Sequence, residues 1–445
     1  MQDKTFIFER YEFRPESHTL HMHYAYEGGA VFEEKIIFMP ATRALSAPDL
    51  AAFDAVCRLI FLLAGVSYYK AYVPRQLKCA AFALDKETAE FVEKVYRNGL
   101  GEFAYQNKLD LGDRVRFISE GTSFPKPQAL NLPHRLLVPV GGGKDSIVTI
   151  ECLKGAGEPL SLFVLGSPAG IAEPILATAE VSGLPLIRVG RALSPKLLEL
   201  NKLDALNGHV PITAILSSIA IACAILYGFD NVVLSNEHSA SAPNLRMGDI
   251  EVNHQYSKSF AFEADFAAYV AKRIAPDISY FSLLRPFSEI EIARRFARLT
   301  PYHSVFRSCN KAFRQDIGAR PKNWCCDCPK CRFVFMALAP FMEKEKLVAI
   351  FGKDLLADPA QREGFAELCG LAAYKPFECV GEIEESALVM EKLYRSPEWK
   401  DDMVVKELGG RLSSGDFEKN YGALFAAKPG HNVPEKYLRM LDACR

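Results

Sequence analysis

The sequence has almost no net charge, because 53 lysines and arginines oppose 54 aspartates and glutamates, leaving −1 at pH 7. Strong non-specific binding of nucleic acid normally requires a basic excess, so this balance argues against a tRNA-modifying enzyme. Low-complexity tracts and convincing internal repeats are also lacking. Hydrophobic residues make up 49% and charged residues 24% of the 445 residues, which is ordinary for a globular protein of two or three domains.

The first residues, MQDKTFIFER, have no signal-peptide pattern, so export is not expected. The 12 cysteines are therefore expected to serve metal binding or catalysis in a reducing cytoplasm, rather than disulfides. Residues 211–229 are uncharged and about long enough to span a membrane. No Lys/Arg cluster flanks them, and a strand-like run follows at once, so we expect a buried helix and no membrane partner.

From residue 134 onward, short apolar runs typical of strands alternate with runs of helical spacing. This alternation predicts an α/β domain over 134–260, with a parallel sheet and helices on both faces. A smaller α+β domain is expected before it, over 1–125, and a mostly helical region after it, over 261–445. The strand-like runs are 136–140, 160–165, 185–190 and 231–235, and the helix-like runs are 147–156, 171–182, 194–203 and 211–228.

Three glycines separate the first strand-like run from a helix-like run, in VPVGGGKDSIVTIE (138–151). Glycine lets a ligand approach the backbone closely, and the first turn of a helix attracts phosphate because its N–H groups are unpaired. Lys144 adds a positive charge, and Ser146 adds a hydroxyl donor. Asp145 would repel phosphate unless a cation lay between them, so it suggests Mg²⁺ or a nearby lysine or arginine.

This loop resembles the PP-loop, S-G-G-x-D-S, of the ATP pyrophosphatases. The second and third glycines, the aspartate and the serine match, whereas Gly141 replaces the first serine. The resemblance implies a PP-loop, HUP-like sheet and a reaction that splits ATP into AMP and pyrophosphate, usually after adenylating a substrate. It implies that Gly141, Gly142, Gly143, Lys144 and Ser146 hold the pyrophosphate and that Asp145 helps to hold Mg²⁺.

Two polar stretches, SNEHSASAPN (235–244) and VNHQYSKS (252–259), follow the last strand-like run. Ligands of parallel α/β sheets bind at the carboxyl ends of the strands, so the first stretch is expected to line one crevice with the glycine loop. Asn236 and Glu237 are candidates for binding the nucleotide or Mg²⁺. The candidates for proton transfer are His238, His254, Tyr256 and Lys258, which residue type alone does not rank.

A cysteine cluster lies further along the chain, in RSCN (307–310) and WCCDCPKCRFVF (324–335). Cys325, Cys328 and Cys331 form C-x₂-C-x₂-C, and Cys309 adds a fourth thiolate. Four soft ligands at close spacing predict a closed, structural Zn²⁺ site. Cys326 is left over, and could replace Cys325 as a ligand or serve as a free thiol.

These blocks together resemble the bacterial UDP-N-acetyl-α-D-muramoyl-L-alanyl-L-glutamate epimerases. LNGHVPITAI (206–215), RLIFLLAGVSYYKAY (58–72) and AYKPFECVGEIEESA (373–387) extend the likeness over nearly the whole chain. The resemblance implies an enzyme of peptidoglycan synthesis that inverts the terminal L-Glu of UDP-MurNAc-L-Ala-L-Glu to D-Glu. It implies an acyl-adenylate made from ATP with Mg²⁺, and the release of AMP and pyrophosphate.

Two other functions are compatible with the same residues. The first is a PP-loop enzyme that modifies a nucleobase or tRNA by thiolation, amidation or cyclisation, which the cysteine cluster favours and the neutral charge opposes. The second is a zinc-stabilised sensor that binds ATP without turning it over. The sequence does not indicate the oligomeric state, the groups that bind UDP or the role of the N-terminal region.

Overall fold

The structure is a computed structural model. It describes residues 5–112, 114–119, 121, 126–168, 170–203, 205–247, 250–313, 318, 320–372, 375–412 and 415–444. The domain boundary predicted near residue 125 lies outside these residues, as do the first two residues of the 373–387 block.

The strands of the described chain, in order, are β1 Phe6–Arg14, β2 Thr19–Tyr26, β3 Val31–Ile37, β4 Leu77–Cys79, β5 Leu136–Pro139, β6 Leu160–Gly166, β7 Leu186–Ala192, β8 Asn231–Leu234, β9 Leu245–Met247, β10 Ile250–Val252 and β11 Ser279–Ser282. The helices are α1 Ala47–Ala64, α2 Val66–Tyr69, α3 Lys86–Gly99, α4 Gly101–Gln106, α5 Lys144–Gly155, α6 Glu173–Ser182, α7 Pro195–Leu200, α8 Ile212–Tyr227, α9 Phe260–Arg273, α10 Glu289–Phe296, α11 Pro329–Leu338, α12 Lys344–Phe351, α13 Arg362–Leu368, α14 Ile383–Tyr394, α15 Met403–Gly409, α16 Phe417–Ala423 and α17 Glu435–Ala443.

One nine-stranded sheet organises the described chain, in the order β11-β8-β5-β6-β7-β3-β2-β1-β4. The strands from β11 to β7 are parallel, as the alternating pattern predicts. Adjacent residues of β5 pack in two different hydrophobic cores, one on each face of the sheet, because successive side chains of a strand point to opposite faces. Leu137 packs with α1 and α8, whereas Leu136 and Val138 pack with α5 and α10. The predicted α/β architecture, with helices on both faces, is therefore confirmed.

The sheet continues from the α/β strands into the N-terminal strands. β3 pairs with β7 in antiparallel register, from Lys35 opposite Ala192 to Ile37 opposite Gly190. β2 and β1 follow in antiparallel order, and β4 closes the edge parallel to β1. Residues 1–125 and 134–260 thus contribute strands to the same sheet.

β11 was missed by the sequence pattern, which predicts a mostly helical chain beyond residue 260. This strand has four residues and pairs in parallel with β8. So short a segment carries little periodicity of its own, and it is a strand because β8 offers an unpaired edge. The residues that follow it, 283–288, are thereby brought to the carboxyl end of the sheet.

The apolar segment 211–229 forms a buried helix, as predicted. α8 begins after Pro211, ends at Gly228 in the left-handed conformation and is buried along most of its length. It packs against α1 in the same core. The continuous stretch Ala47–Tyr69 is long and apolar enough to cross a membrane, but 72% of its most apolar window is buried inside the fold.

The expectation that the cysteines avoid disulfides is wrong for one pair. The Sγ atoms of Cys152, on α5, and Cys444, just after α17, are joined in a disulfide. The two residues are separated by 292 positions in sequence, so no local spacing indicated their pairing. The other cysteines that the structure describes are not joined in disulfides.

Candidate active site

The glycine loop, residues 141–146, leaves the carboxyl end of β5 and enters α5 directly. Gly142 has φ +75°, and a Cβ there would lie 3.0 Å from the backbone carbon of Pro174, so a side chain is excluded on both counts. Gly143 is the N-cap of α5. The amide of Arg307 donates to the Gly142 carbonyl at 2.8 Å, which attaches the cysteine-rich segment to this loop.

A buried carboxylate–ammonium group lies at the start of α5. Lys144 is 2% exposed and forms ion pairs with Asp145 and with Glu289, the first residue of α10. Burial raises the pKa of Glu289 well above its usual range, against the effect of Lys144. In this structure two carboxylates already engage the Lys144 ammonium, which was predicted to hold phosphate. The sequence analysis missed Glu289, which directly follows Ser288, the N-cap of α10.

Residues after β8 reach the same place, as the parallel topology predicts. Glu237 is 6% exposed, and its charge acts on Glu289 and Lys258. Asn236 is also buried and donates to the Ser282 hydroxyl at 3.0 Å, which connects the ends of β8 and β11. The side-chain amide of Asn236 therefore already has a hydrogen-bond partner at the end of the sheet.

Arg285, after β11, holds two loops of the site by their backbones. Its guanidinium is completely buried and donates to the carbonyls of Glu237 and Lys258, each at 2.6 Å. A third hydrogen bond, of 2.8 Å, goes to the carboxylate of Glu263 on α9. Sequence reasoning missed Arg285, because its partners are distant in sequence and no motif marks it.

Lys258 and His254 converge on a residue that the sequence analysis did not select, Cys379. The Lys258 Nζ donates to the Cys379 Sγ at 3.4 Å, and His254 interacts electrostatically with the same thiol. His254 Nδ1 also bonds Glu102 of α4, and its ring lies 4.4 Å from that of His209, centroid to centroid. Burial opposes protonation of His254, but Cys379 and Glu102 together raise its pKa to about 9.

Electrostatic interactions connect this thiol group with the glycine loop. The negative charges of Cys379, Glu237 and Asp145 all raise the pKa of Lys258, against the effect of burial. The predicted residues Asp145, Glu237, His254 and Lys258 thus lie in one cluster. Charged side chains from α4, α5, α10 and the 375–385 segment complete it.

The other two proton-transfer candidates have different surroundings. The Tyr256 ring packs edge-on against Phe262 in the hydrophobic core, and burial raises the pKa of its phenol to about 12. His238 is half-buried, and burial together with Lys428 lowers the pKa of its imidazole. Its amide donates to the Phe287 carbonyl at 3.0 Å, on the side of the 283–288 segment.

The four predicted zinc ligands, Cys309, Cys325, Cys328 and Cys331, come together. All their Sγ atoms lie within 4.8 Å of one another, including Cys328 to Cys331 at 3.4 Å and Cys325 to Cys331 at 3.6 Å. A tetrahedral ion with Zn–S bonds of 2.3 Å would separate its sulfurs by about 3.8 Å, so the donor set fits zinc. Cys326 points away, with its Sγ 3.3 Å from the Phe351 carbonyl.

The fold and this site define an α/β protein whose acid–base groups gather beside a glycine loop at the carboxyl ends of parallel strands. Comparison with known families makes the class specific. Residues 1–283 match the model of the MurL N-terminal domain, and residues 305–420 match that of the MurL C-terminal domain. The chain belongs to the MurL family.

Curated relatives agree over almost the full chain. The protein is 42% identical over 438 residues to a UDP-N-acetyl-alpha-D-muramoyl-L-alanyl-L-glutamate epimerase of Xanthomonas oryzae pv. oryzae, covering 97% of this chain and 96% of the relative. It is 42% identical to the protein of that name from a Micromonospora species, covering 93% and 92%. With the protein of that name from Salinispora tropica it shares 44% identity, covering 81% and 77%.

Proposed function

We propose that this protein inverts the terminal L-Glu of UDP-MurNAc-L-Ala-L-Glu to D-Glu, for peptidoglycan precursor synthesis in the cytoplasm. ATP and Mg²⁺ serve to activate the substrate as an acyl-adenylate, and AMP and pyrophosphate are released. The observation that carries the proposal is the position of the cluster of Glu102, His254, Lys258 and Cys379 beside the glycine loop. Groups for activation and groups for proton transfer thus share one site.

The need for ATP follows from the charge on the substrate. A free α-carboxylate is already negative, so removal of the neighbouring Cα proton would add a second negative charge. An acyl-adenylate instead presents a neutral carbonyl, and the carbanion becomes an enolate that hydrogen-bond donors stabilise. Return of a proton to the opposite face inverts the centre, and hydrolysis of the anhydride restores the acid.

The glycine loop supplies the activation half of the site. Its resemblance to a PP-loop and its place at the start of α5 support pyrophosphate binding by the amides of Gly141, Gly142 and Gly143, with Ser146. Asp145, Glu237 and Glu289 provide the carboxylate oxygens that Mg²⁺ prefers, in a group that holds the two ammonium ions of Lys144 and Lys258. Mg²⁺ would neutralise charge on the phosphates.

The direct test is chiral analysis of glutamate after incubation with ATP, Mg²⁺ and UDP-MurNAc-L-Ala-L-Glu. We expect D-Glu to appear together with stoichiometric AMP, and neither product when ATP is left out. A parallel incubation with tRNA is expected to release no pyrophosphate. Inversion without nucleotide, or AMP formation with tRNA alone, would contradict the proposal.

We also propose that the four-cysteine group binds one structural Zn²⁺. Arg307 bonds the glycine loop two residues before Cys309, so the metal would hold this loop in place. We expect about one zinc per chain in protein purified without chelator, measured by elemental mass spectrometry. Cys325→Ser should lose the zinc and Cys326→Ser should keep it, because Cys326 points away from the group. Equal zinc content in both variants would refute this ligand set.

A further inference from the structure

Cys379 is a thiol outside the four-cysteine group. It lies in the segment between α13 and α14 and is partly exposed to solvent. Its Sγ accepts a hydrogen bond of 3.4 Å from the Lys258 ammonium, and His254 interacts electrostatically with it. A sulfur that accepts from an ammonium and lies near a protonated imidazole is suited to carry negative charge.

Positive groups from several elements face this thiol. Lys258 and His254 come from the two turns after β10, and Lys330 comes from α11. Glu102, on α4, bonds the far side of His254 and favours its protonated form. Burial opposes ionisation of Cys379, but these charges lower the pKa of the thiol to about 6. By contrast, burial raises the pKa of Cys57 and Cys223 well above the usual range.

The neighbours of Cys379 hold their protons at neutral pH. The pKa of His254 is raised to about 9, and that of Lys258 is raised too, chiefly by the negative charge of Cys379 itself. Neither group can therefore take a proton from a substrate at pH 7. Of Cys379, His254 and Lys258, the thiol is therefore the group in its deprotonated form.

The thiol also lies close to the activation half of the site. Lys258, which bonds Cys379, interacts electrostatically with Asp145 and Glu237. Lys258 thus connects the thiol with the loop at which the acyl group would be activated, so a base lies near the proposed point of activation.

On the basis of the function proposed above, we propose that Cys379 is a catalytic residue that exchanges the Cα proton on one face of the activated glutamyl group. The thiolate takes the proton, and the electron pair of the C–H bond passes into the enolate of the acyl-adenylate. An acid of the site then delivers a proton to the opposite face of the enolate. Proton exchange with water then returns the Cys379 thiol and the acid to their starting protonation states, so the number of protons is conserved over the cycle. His254 and Lys258 act as positioning residues for the thiolate.

The test compares Cys379→Ser and Cys379→Ala with the wild-type chain in D₂O. Both variants are expected to release pyrophosphate from ATP in the presence of UDP-MurNAc-L-Ala-L-Glu. Deuterium incorporation at Cα, read by mass spectrometry, is expected to fall about 100-fold or more, the size of a general-base effect. Cys79→Ser, on β4, is the matched control and should exchange at the wild-type rate.

Two different failures can be distinguished. Variants at Cys379 that keep pyrophosphate release and exchange deuterium at the wild-type rate would overturn the catalytic role alone. A wild-type chain that neither releases pyrophosphate nor exchanges deuterium with this substrate would overturn the proposed function, and the role of Cys379 with it.

A second measurement does not depend on folding of the variants. The wild-type chain is treated with iodoacetamide over a range of pH, and alkylation at Cys379 is followed by peptide mass spectrometry. We expect the rate to reach half its maximum near pH 6, because the thiolate is the reactive form. A midpoint near that of an ordinary thiol, about 8.5, would overturn the proposal.

Discussion

Replacing Asp145 by asparagine is expected to abolish measurable formation of AMP and pyrophosphate. Asn has nearly the same shape as Asp, so the change removes charge with little effect on packing. The Asp145 side chain is 32% exposed, whereas its neighbour Lys144 is 3% exposed, so the carboxylate is the more accessible of the two charged groups. Without it, the proposed Mg²⁺ loses a ligand and the phosphates lose their neutralising cation.

The expected loss of rate can be estimated from the effects of similar substitutions in other enzymes. Removal of one electrostatic contact to a transition state typically costs about 10² to 10³ in rate. We therefore expect AMP release to fall at least about 100-fold, measured by coupled pyrophosphate assay with the full substrate. The fold should persist, because Lys144 keeps its buried partner Glu289 and an acidic residue in the first turn of a helix contributes only about 0.3–1 kcal/mol to stability.

Asp401→Asn is the matched control, since that aspartate is exposed and lies outside the site. It should retain wild-type turnover. Undiminished AMP release by Asp145→Asn would remove Asp145 from the proposed mechanism. A large fall in thermal stability would show instead that the carboxylate serves mainly to hold Lys144 in the fold.

Replacing Arg285 by methionine is expected to lower the free energy of unfolding by about 3–5 kcal/mol. The side chain is completely buried, and its Glu263 partner is 1% exposed. Loss of the guanidinium leaves that carboxylate uncompensated and removes the donors to the carbonyls of Glu237 and Lys258. Urea denaturation followed by circular dichroism measures the change.

The double variant Arg285→Met/Glu263→Gln separates charge from packing. It should recover part of the lost stability, because the uncompensated buried charge is gone. Activity should stay low even so, since the backbones of Glu237 and Lys258 remain without their common donor. Arg439→Met, which removes an exposed ion pair with Glu435, is the control and should leave the midpoint of urea denaturation unchanged. A loss in Arg285→Met below about 1 kcal/mol would contradict the structural role of Arg285.

Much of the α/β core could be predicted from local patterns. The strand-like runs from 136–140 to 231–235 and the helices between them are observed with shifts of a few residues. Such elements are readable because their burial pattern repeats along the chain. The four-cysteine group could be predicted for a related reason, since three of its members are closely spaced at and before the start of α11.

Other features could not be read in this way. β11 has no pattern of its own and depends on the edge of β8. The Cys152–Cys444 disulfide joins positions 292 residues apart. Cys379 was present in a recognised block, yet nothing local distinguishes it from the other cysteines. Its chemistry comes from Lys258, His254 and Lys330, which lie on other elements.

The sequence by itself determined the glycine loop between β5 and α5, the four-cysteine group and the kinship of the whole chain. These features can be recognised in the sequence because they depend on adjacent residues and on fixed spacings between residues. The tertiary structure alone decided that Glu102, His254, Lys258 and Cys379 meet beside that loop. It also decided that Arg285 donates to the backbone carbonyls of two segments of the site. Their charge states depend on burial and on partners far away in sequence, and both exist only once the chain has folded.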